Sequence, residues 1–264
     1  MVKIASPELN FTSLLEEVAS WKLPTLLSTG VSKISDITYA VELFMESTNI
    51  PKTRNIKSLA HAIATDIHVC LLHCVTAYPA PETDYNLRVL PSLSAVFGLP
   101  VGVSDHSSGI ELVPALAVSM GAVVIEKHFC LSRDDDGLDD PIALEPQEFS
   151  QMAAAVRNAA EWGAEKTIAF YKRRYGSRFV EQILGDGIKK LAPSEKDNYP
   201  FTNRSIHALR DIHPGEIIKK RDFAVLRSEK NLRPGLDPCW EKSLVGRTAK
   251  KFIPAGEGIR FEDV

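Results

Sequence analysis

The chain has 264 residues, 44% of them hydrophobic and 25% charged, with a formal charge of −3. That balance suits one large soluble domain plus a small one, and it excludes a basic nucleic-acid or membrane-surface binder. No apolar run reaches the ~18 residues of a membrane span. The opening MVKIASPELN lacks the apolar centre of a signal peptide. Cys70, Cys74, Cys130 and Cys239 show no Cys-x2-Cys zinc spacing and read as free thiols in a reducing cytoplasm.

In chain order, Val2–Ala5 reads as a short strand. A capping box at Ser13–Glu16 opens a helix to about Trp21. Thr25–Gly30 is a buried strand ending at a glycine turn, and Ser32–Met45 a helix with apolar Ile34, Ile37, Val41 and Phe44. Asn49–Asp66 is polar and irregular, with a short helix at Leu59–Ala64. Strands follow at His68–His73, Pro100–Ser104 and Ala122–Lys127. Helices are expected over Asn86–Phe97, ended by Gly98, then Ile110–Met120 and Pro146–Trp162. Strands alternating with amphipathic helices mean a parallel sheet with right-handed crossovers. Five such units fit a doubly wound sheet or part of a (β/α)8 barrel; no Gly-x-Gly-x-x-Gly follows any strand.

Residues 166–200 read as a charged connector with a helix over Phe179–Lys190. From 201 the texture changes to short strands and turns. There DIHPGEIIKKRDF (211–223) echoes FIPAGEGIRFEDV (252–264), which suggests a small β domain with approximate internal symmetry.

The stretch VSDHSSGIELVPALAVSMGAVVIEKHF (103–129) places Ser-x-His and Glu-x-His at the ends of two neighbouring strands. Alternation puts Ser104 with His106, and Glu126 with His128, on one face. Parallel neighbours lie ~4.8 Å apart, so the two imidazoles can reach one divalent ion. An open site of this kind suits Mn²⁺ better than Mg²⁺, which prefers oxygen ligands. The spacing leaves open that both histidines are unrelated loop or core residues. Ser6 and Ser28 also suit turns, and His73 suits the core.

The ordered motifs KIAS-x-E, LSTG, LLHC-x3-YPAP, NLR, FGLPVGVSDH, GA-x-VIEKHF and LEPQEF resemble those of sialic acid synthases. NRSIHALRDIHPGE and LRPG are similar to their antifreeze-protein-like (SAF) domain. The resemblance spans nearly the whole chain. It implies part of a (β/α)8 TIM barrel, about strands 4–8, in residues 1–165, then a connector over 166–200. A small β-rich antifreeze-like domain of the β-clip type follows over 201–264. It also implies condensation of phosphoenolpyruvate with an N-acyl-mannosamine-type sugar to a nine-carbon 2-keto acid, with phosphate released.

On that resemblance His106 and His128 hold a divalent metal, Mn²⁺ first and Mg²⁺ or Co²⁺ as alternatives. Glu126, Glu8 and Lys3 are catalytic. Lys3 also binds substrate, with Ser6, Ser28, Thr76, Tyr78, Ser104, Asp139 and Arg233. Arg233 is expected to reach the partner's site in a homodimer whose small domain lies over the partner's barrel. Cytoplasmic location follows, with no nucleic-acid or membrane partner.

The chain departs from the family in five places. It begins at the fourth barrel strand, where family members carry three strands more. Asn49–Asp66 looks inserted, Thr76 stands for an Asn or Ser, and DDDGLDDP and RPGLDP depart from the usual wording. The acylamino sugar therefore stays open, a legionaminic-type or spore-coat sugar included. The alternative to an enzyme is a non-catalytic remnant that binds a sugar or a partner.

Overall fold

The computed structural model describes residues 1–47, 69–228 and 230–264; the readings over Asn49–Asp66 lie outside them. Five strands form one parallel sheet: β1 (Val2–Ile4), β2 (Thr25–Ser28), β3 (Val69–Cys74), β4 (Val101–Asp105) and β5 (Ile125–Lys127). Their spatial order is 1-2-3-4-5. A doubly wound sheet reverses direction at a switch point, whereas a barrel adds each strand beside the last. The order therefore selects the barrel lineage. Curvature agrees: Lys3 on β1 and Glu126 on β5 meet at 3.1 Å, although flat spacing would separate their strands by ~19 Å.

The sequence explains the sheet. All six residues of β3 are buried, as a strand covered on both faces requires. At Gly102 a Cβ would lie 2.4 Å from the Val124 carbonyl oxygen, so β4 and β5 approach this closely only because glycine stands there. The crossovers are α1 (Thr12–Ser20), α2 (Ile34–Ser47), α3 (Val89–Phe97) and α4 (Leu112–Ser119), followed by α5 (Pro146–Tyr175) and α6 (Ser177–Leu184). Gly98 ends α3 in a left-handed cap with φ 66°, as expected. Among the described residues no helix is long and apolar enough to cross a membrane.

Several boundaries differ from the sequence reading, four of them for a visible physical or geometric reason. The Ser13 capping box does not form: α1 starts at Thr12 after Phe11, with no side-chain cap. Phe11 instead packs against the small-domain core. Regular β5 begins at Ile125 rather than Ala122. Helix α5 continues to Tyr175 but breaks at Gly163 (φ 75°, ψ 177°), bringing Phe170 back to 5.2 Å from Trp162. Helix α6 stops at Leu184, because Gly185 adopts φ 65° against Asn86.

Residues 166–200 are more than a connector. Val180, Ile183, Leu184 and Ala192 join the barrel core. Leu87 and Arg88 donate backbone bonds to Ile183 and Leu184, and Lys189 Nζ donates to the Thr29 carbonyl at 2.8 Å. The stretch straps the outside of β2 and β3.

The small domain has its own core, including Ile206, Ile212, Ile218, Phe223, Ile253 and Ile259. In it β6 (Arg204–Ala208) pairs antiparallel with β7 (Phe223–Arg227). The repeat is structural. Gly215 and Gly256 occupy equivalent turns with φ 88° and 86°. Ile212 and Ile253 pair across the approximate symmetry. Each copy ends in a short 3-10 turn whose aspartate, Asp222 or Asp263, accepts the backbone N–H three residues earlier.

His73 lies on the outer face of β3 and is 4% exposed. Its Nε2 meets the Tyr85 carbonyl at 2.5 Å; a carbonyl only accepts, so Nε2 carries the proton. Burial, with the Lys189 charge next, pushes its pKa down to about 3. Protons therefore favour the unfolded chain below its ordinary pKa of 6.5. The contribution of neutral His73 is complete above pH 6.5 and is lost as pH falls toward 3, at about 1.4 kcal/mol per unit. NMR should find the His73 ring neutral at pH 5 in the folded chain; protonation with a midpoint near 6.5 would contradict the packing.

Candidate functional site

Strand register decides which side chains face inward. Ser28 pairs with Leu72 and Leu72 with Gly102; Cys74 pairs with Ser104 and Ser104 with Glu126. With Lys3 they line one face. At its centre Glu126 Oε1 accepts from Ser104 Oγ at 2.7 Å and faces Lys3 Nζ at 3.1 Å. Ser28 is 2% exposed and its Oγ has no partner.

His106 follows β4 and His128 follows β5, with ring centroids 5.3 Å apart. The His106 N–H donates to Tyr85 Oη at 2.7 Å, and its Nδ1 donates to the Val75 carbonyl at 2.9 Å. That fixes the proton on Nδ1 and leaves the Nε2 lone pair facing the Tyr78 hydroxyl at 3.4 Å. The Tyr78 ring stacks on His106 at 4.3 Å, and Asp139 Oδ2 lies 3.7 Å from His128 Nδ1. Burial lowers the pKa of both histidines, and at His128 the neighbouring His106 lowers it further. Both are thus held in the neutral form that ligates metal. Burial pushes the Tyr78 phenol up to about 12.

On the opposite face a buried ion pair locks the two histidines in register. Lys127 Nζ meets Asp105 Oδ2 at 2.8 Å, with side chains 1% and 0% exposed. The same ammonium donates to the Ser107 and Gly109 carbonyls, and Asp105 Oδ1 accepts the Ser107 N–H. The loop carrying His106 is thereby tied to the strand leading into His128. Sequence reading missed this pair, although alternation within SDH and EKH places Asp105 and Lys127 together on the outer face.

Glu195 was also missed. It is 1% exposed and its Oε1 accepts N–H bonds from Val31 and Thr76, each at 2.7 Å. It joins the loops after β2 and β3 and so positions Thr76. Ser6 accepts the Gly30 N–H at 3.0 Å, where a Cβ on Gly30 would collide with Ser6, Cys74 and Thr76.

Two expected residues are engaged by the small domain or within it. Glu8 stands on the rim after β1, but its carboxylate is gripped by Arg204 and by Arg227, the latter at 2.7 Å. Despite the cost of burial, these two guanidiniums hold its pKa below the usual carboxylate range. Arg233 is not brought to its own chain's mouth. Its guanidinium binds Asp263 at 2.5 Å, as Arg210 binds the symmetry-equivalent Asp222 at 2.9 Å.

Among the described residues no group of three or more His, Cys, Asp or Glu is arranged to hold a metal. Two neutral imidazoles facing one mouth nevertheless fit a divalent ion that takes its other ligands from water and substrate.

Fold and site together define a (β/α)8-barrel segment with a metal-competent mouth and a small β domain docked at its rim. The NeuB family model matches residues 1–167 and the SAF domain model residues 203–264; the chain belongs to the NeuB family. It is 32% identical over 263 residues to the N,N'-diacetyllegionaminic acid synthase of Legionella pneumophila, covering 100% of this chain and 63% of that one. It is 33% identical to a Campylobacter jejuni pseudaminic acid synthase, covering 99% and 63%. The crystal structure of the Bacillus subtilis spore coat polysaccharide biosynthesis protein SpsE superposes with a TM-score of 0.80 at 31% identity, over 99% of this chain and 66% of that one. The chain thus spans just under two thirds of the length of these relatives.

Lys127→Met should leave Asp105 buried without a counter-charge and lower unfolding free energy by about 3–5 kcal/mol. Urea denaturation checks this; a loss below about 1 kcal/mol would show that the pair does not hold the loop.

Proposed function

We propose that this chain carries the metal-histidine and small-domain portion of a sugar-acid synthase that condenses phosphoenolpyruvate with an N-acyl-mannosamine-type aldehyde. The observation that carries the reading is the convergence of Lys3, Ser104 and Glu126 beside His106 and His128. The relatives' printed names, legionaminic and pseudaminic acid synthases, support the same class.

The chemistry joins the enol carbon to the aldehyde carbon, water adds to the phosphate-bearing carbon, and the C–O bond to phosphate breaks. A divalent ion on His106 and His128, Mn²⁺ ahead of Mg²⁺ or Co²⁺, would polarise the aldehyde oxygen. Lys3 and Ser104 orient Glu126, which exchanges a proton with the sugar hydroxyl or the attacking water. Ser28, with its unpartnered Oγ, is a donor for a phosphate or carboxylate oxygen. Thr76 and Ser6 shape the wall, Tyr78 orders the His106 ring, and Asp139 reaches the sugar. Glu8 can act near the reacting carbons only after leaving its arginines. In a homodimer, Arg233 would have to exchange Asp263 for the partner's substrate. A cytoplasmic location belongs to the same proposal.

A second reading, a non-catalytic sugar or partner binder, draws on Glu8 and Arg233, both of which are held in ion pairs with other side chains of this chain.

The test is phosphate release from phosphoenolpyruvate with an N-acyl-mannosamine-type sugar and Mn²⁺, with mass detection of the 2-keto acid. The synthase reading expects release that needs both substrates, stops on chelation, and falls by roughly 10²–10⁴ in Glu126→Gln. Binding of both substrates without release would favour the second reading.

A further inference from the structure

A single peptide group joins the strap to the mouth. The Val75–Thr76 peptide lies just beyond β3. Its carbonyl, on Val75, accepts from His106 Nδ1 at 2.9 Å. Its N–H, on Thr76, donates to Glu195 Oε1 at 2.7 Å. Carboxylate, peptide and imidazole therefore form one unbroken chain of hydrogen bonds. That chain ends at His106 Nε2, the lone pair left facing the mouth. The Val75 carbonyl also accepts the Ala77 N–H at 3.0 Å, which helps hold the peptide plane in place.

Glu195 is well placed to act along this chain. It ends the short 3-10 turn Pro193–Glu195 and is 1% exposed. Its Oε1 takes the N–H groups of Val31 and Thr76, and its Oε2 takes that of Ala192 at 3.0 Å. Hydrogen bonds to a carboxylate are roughly twice as strong as neutral ones. In a buried setting such a bond polarises the peptide it holds, so electron density moves to the far carbonyl oxygen. That oxygen becomes a better acceptor for Nδ1–H, which in turn makes Nε2 more basic. Carboxylates bonded directly to histidine tune metal ligands in this way; here one peptide group stands between them.

Lys189 makes the complementary contact one loop away. Its Nζ donates to the Thr29 carbonyl at 2.8 Å. The N–H of the same Thr29–Gly30 peptide donates to Ser6 Oγ at 3.0 Å. The strap thus grips one peptide N–H with an anion and one peptide carbonyl with a cation. Both peptides lead to side chains of the mouth.

We infer that Glu195 is a positioning residue for the metal ligand His106: through the Val75–Thr76 peptide it holds the proton on Nδ1 and strengthens Nε2 as an electron-pair donor to a divalent ion. This rests on the metal-histidine reading of the site. It gives a strap outside the barrel a part in the metal affinity of the mouth inside it.

The test uses the full chain and readouts that need no turnover. In the metal-free, unaltered chain, long-range proton–nitrogen NMR should find His106 protonated on Nδ1 alone. Titration with Mn²⁺, followed by the EPR signal of the free ion, should show Glu195→Gln binding roughly tenfold more weakly, the low end of what loss of a histidine's hydrogen-bond partner costs. Gln keeps an oxygen for Val31 and Thr76 and removes the charge. The His106 Nδ1 proton should move upfield in this variant as its hydrogen bond weakens. Glu195→Asp, which keeps the charge one methylene short of the amides, should fall between the two in Mn²⁺ affinity. Ile183→Val trims the same strap where it is buried in the barrel core. It should lower the thermal midpoint and leave Mn²⁺ affinity and the His106 signals unchanged.

Unchanged Mn²⁺ affinity in Glu195→Gln would overturn the inference. So would a His106 protonated on Nε2, an equal loss of affinity in Ile183→Val, or failure of the unaltered chain to bind Mn²⁺. A chain that binds Mn²⁺ through this relay yet never releases phosphate refutes the synthase reading and keeps this one.

Discussion

The contact between Lys3 and Glu126 governs the geometry of the whole site. These residues stand on the first and last strands of a five-stranded sheet, yet their side chains meet at 3.1 Å. Only a strongly curled sheet allows this. The curl comes from the right-handed strand twist accumulated over successive parallel neighbours, with Gly102 letting β4 and β5 close up. Once the edges meet, Ser104, His106 and His128 have a common mouth to face. The outer Asp105–Lys127 pair then fixes the separation of the two imidazoles from behind. The charge pairs on the two faces thus serve different purposes: the inner one joins the two edges of the sheet, and the outer one ties the loop after β4 to β5.

Much of this was legible in the residues. Period-two and period-3.6 apolar patterns gave the alternation of strands and helices, and Ser-x-His with Glu-x-His gave the inward face. The Pro-Gly repeat appears as two turns with glycines of like backbone angle, φ 88° at Gly215 and 86° at Gly256, and with Ile212 paired to Ile253. Other features were invisible because they depend on distant contacts. Ser13–Glu16 has a sound capping-box spelling, but Phe11 is drawn into the small-domain core and the helix starts without it. Glu195 ends a short 3-10 turn (Pro193–Glu195) of ordinary composition, and only folding brings it to the amides of Val31 and Thr76. Arg204 and Arg227 carry no local signal; their meaning lies in Glu8, about two hundred residues earlier in the chain. For Arg233 the sequence suggested the mouth, whereas Asp263 supplies a nearer carboxylate through the second copy of the repeat.

The small domain is thereby part of the site's electrostatics. It brings two guanidiniums to a rim whose internal lysine is already neutralised. Family membership agrees with this architecture, since the barrel and SAF matches fall on either side of the strap formed by residues 166–200. The strap links the two by structure as well as by sequence. It buries Ile183 and Leu184 in the barrel core, anchors the loops through Glu195, and then enters β6 at Arg204.

The most direct measurement concerns the curl itself. In a Cys239→Ser background, Lys3→Cys and Glu126→Cys should be joined within one chain by a bis-maleimide spanning roughly 10 Å, well short of the ~19 Å that flat strand spacing implies. Rapid intramolecular linkage at high dilution, lost on unfolding, is the result this account requires. A folded chain that fails to link would show that β1 and β5 do not meet and that the site does not assemble as described.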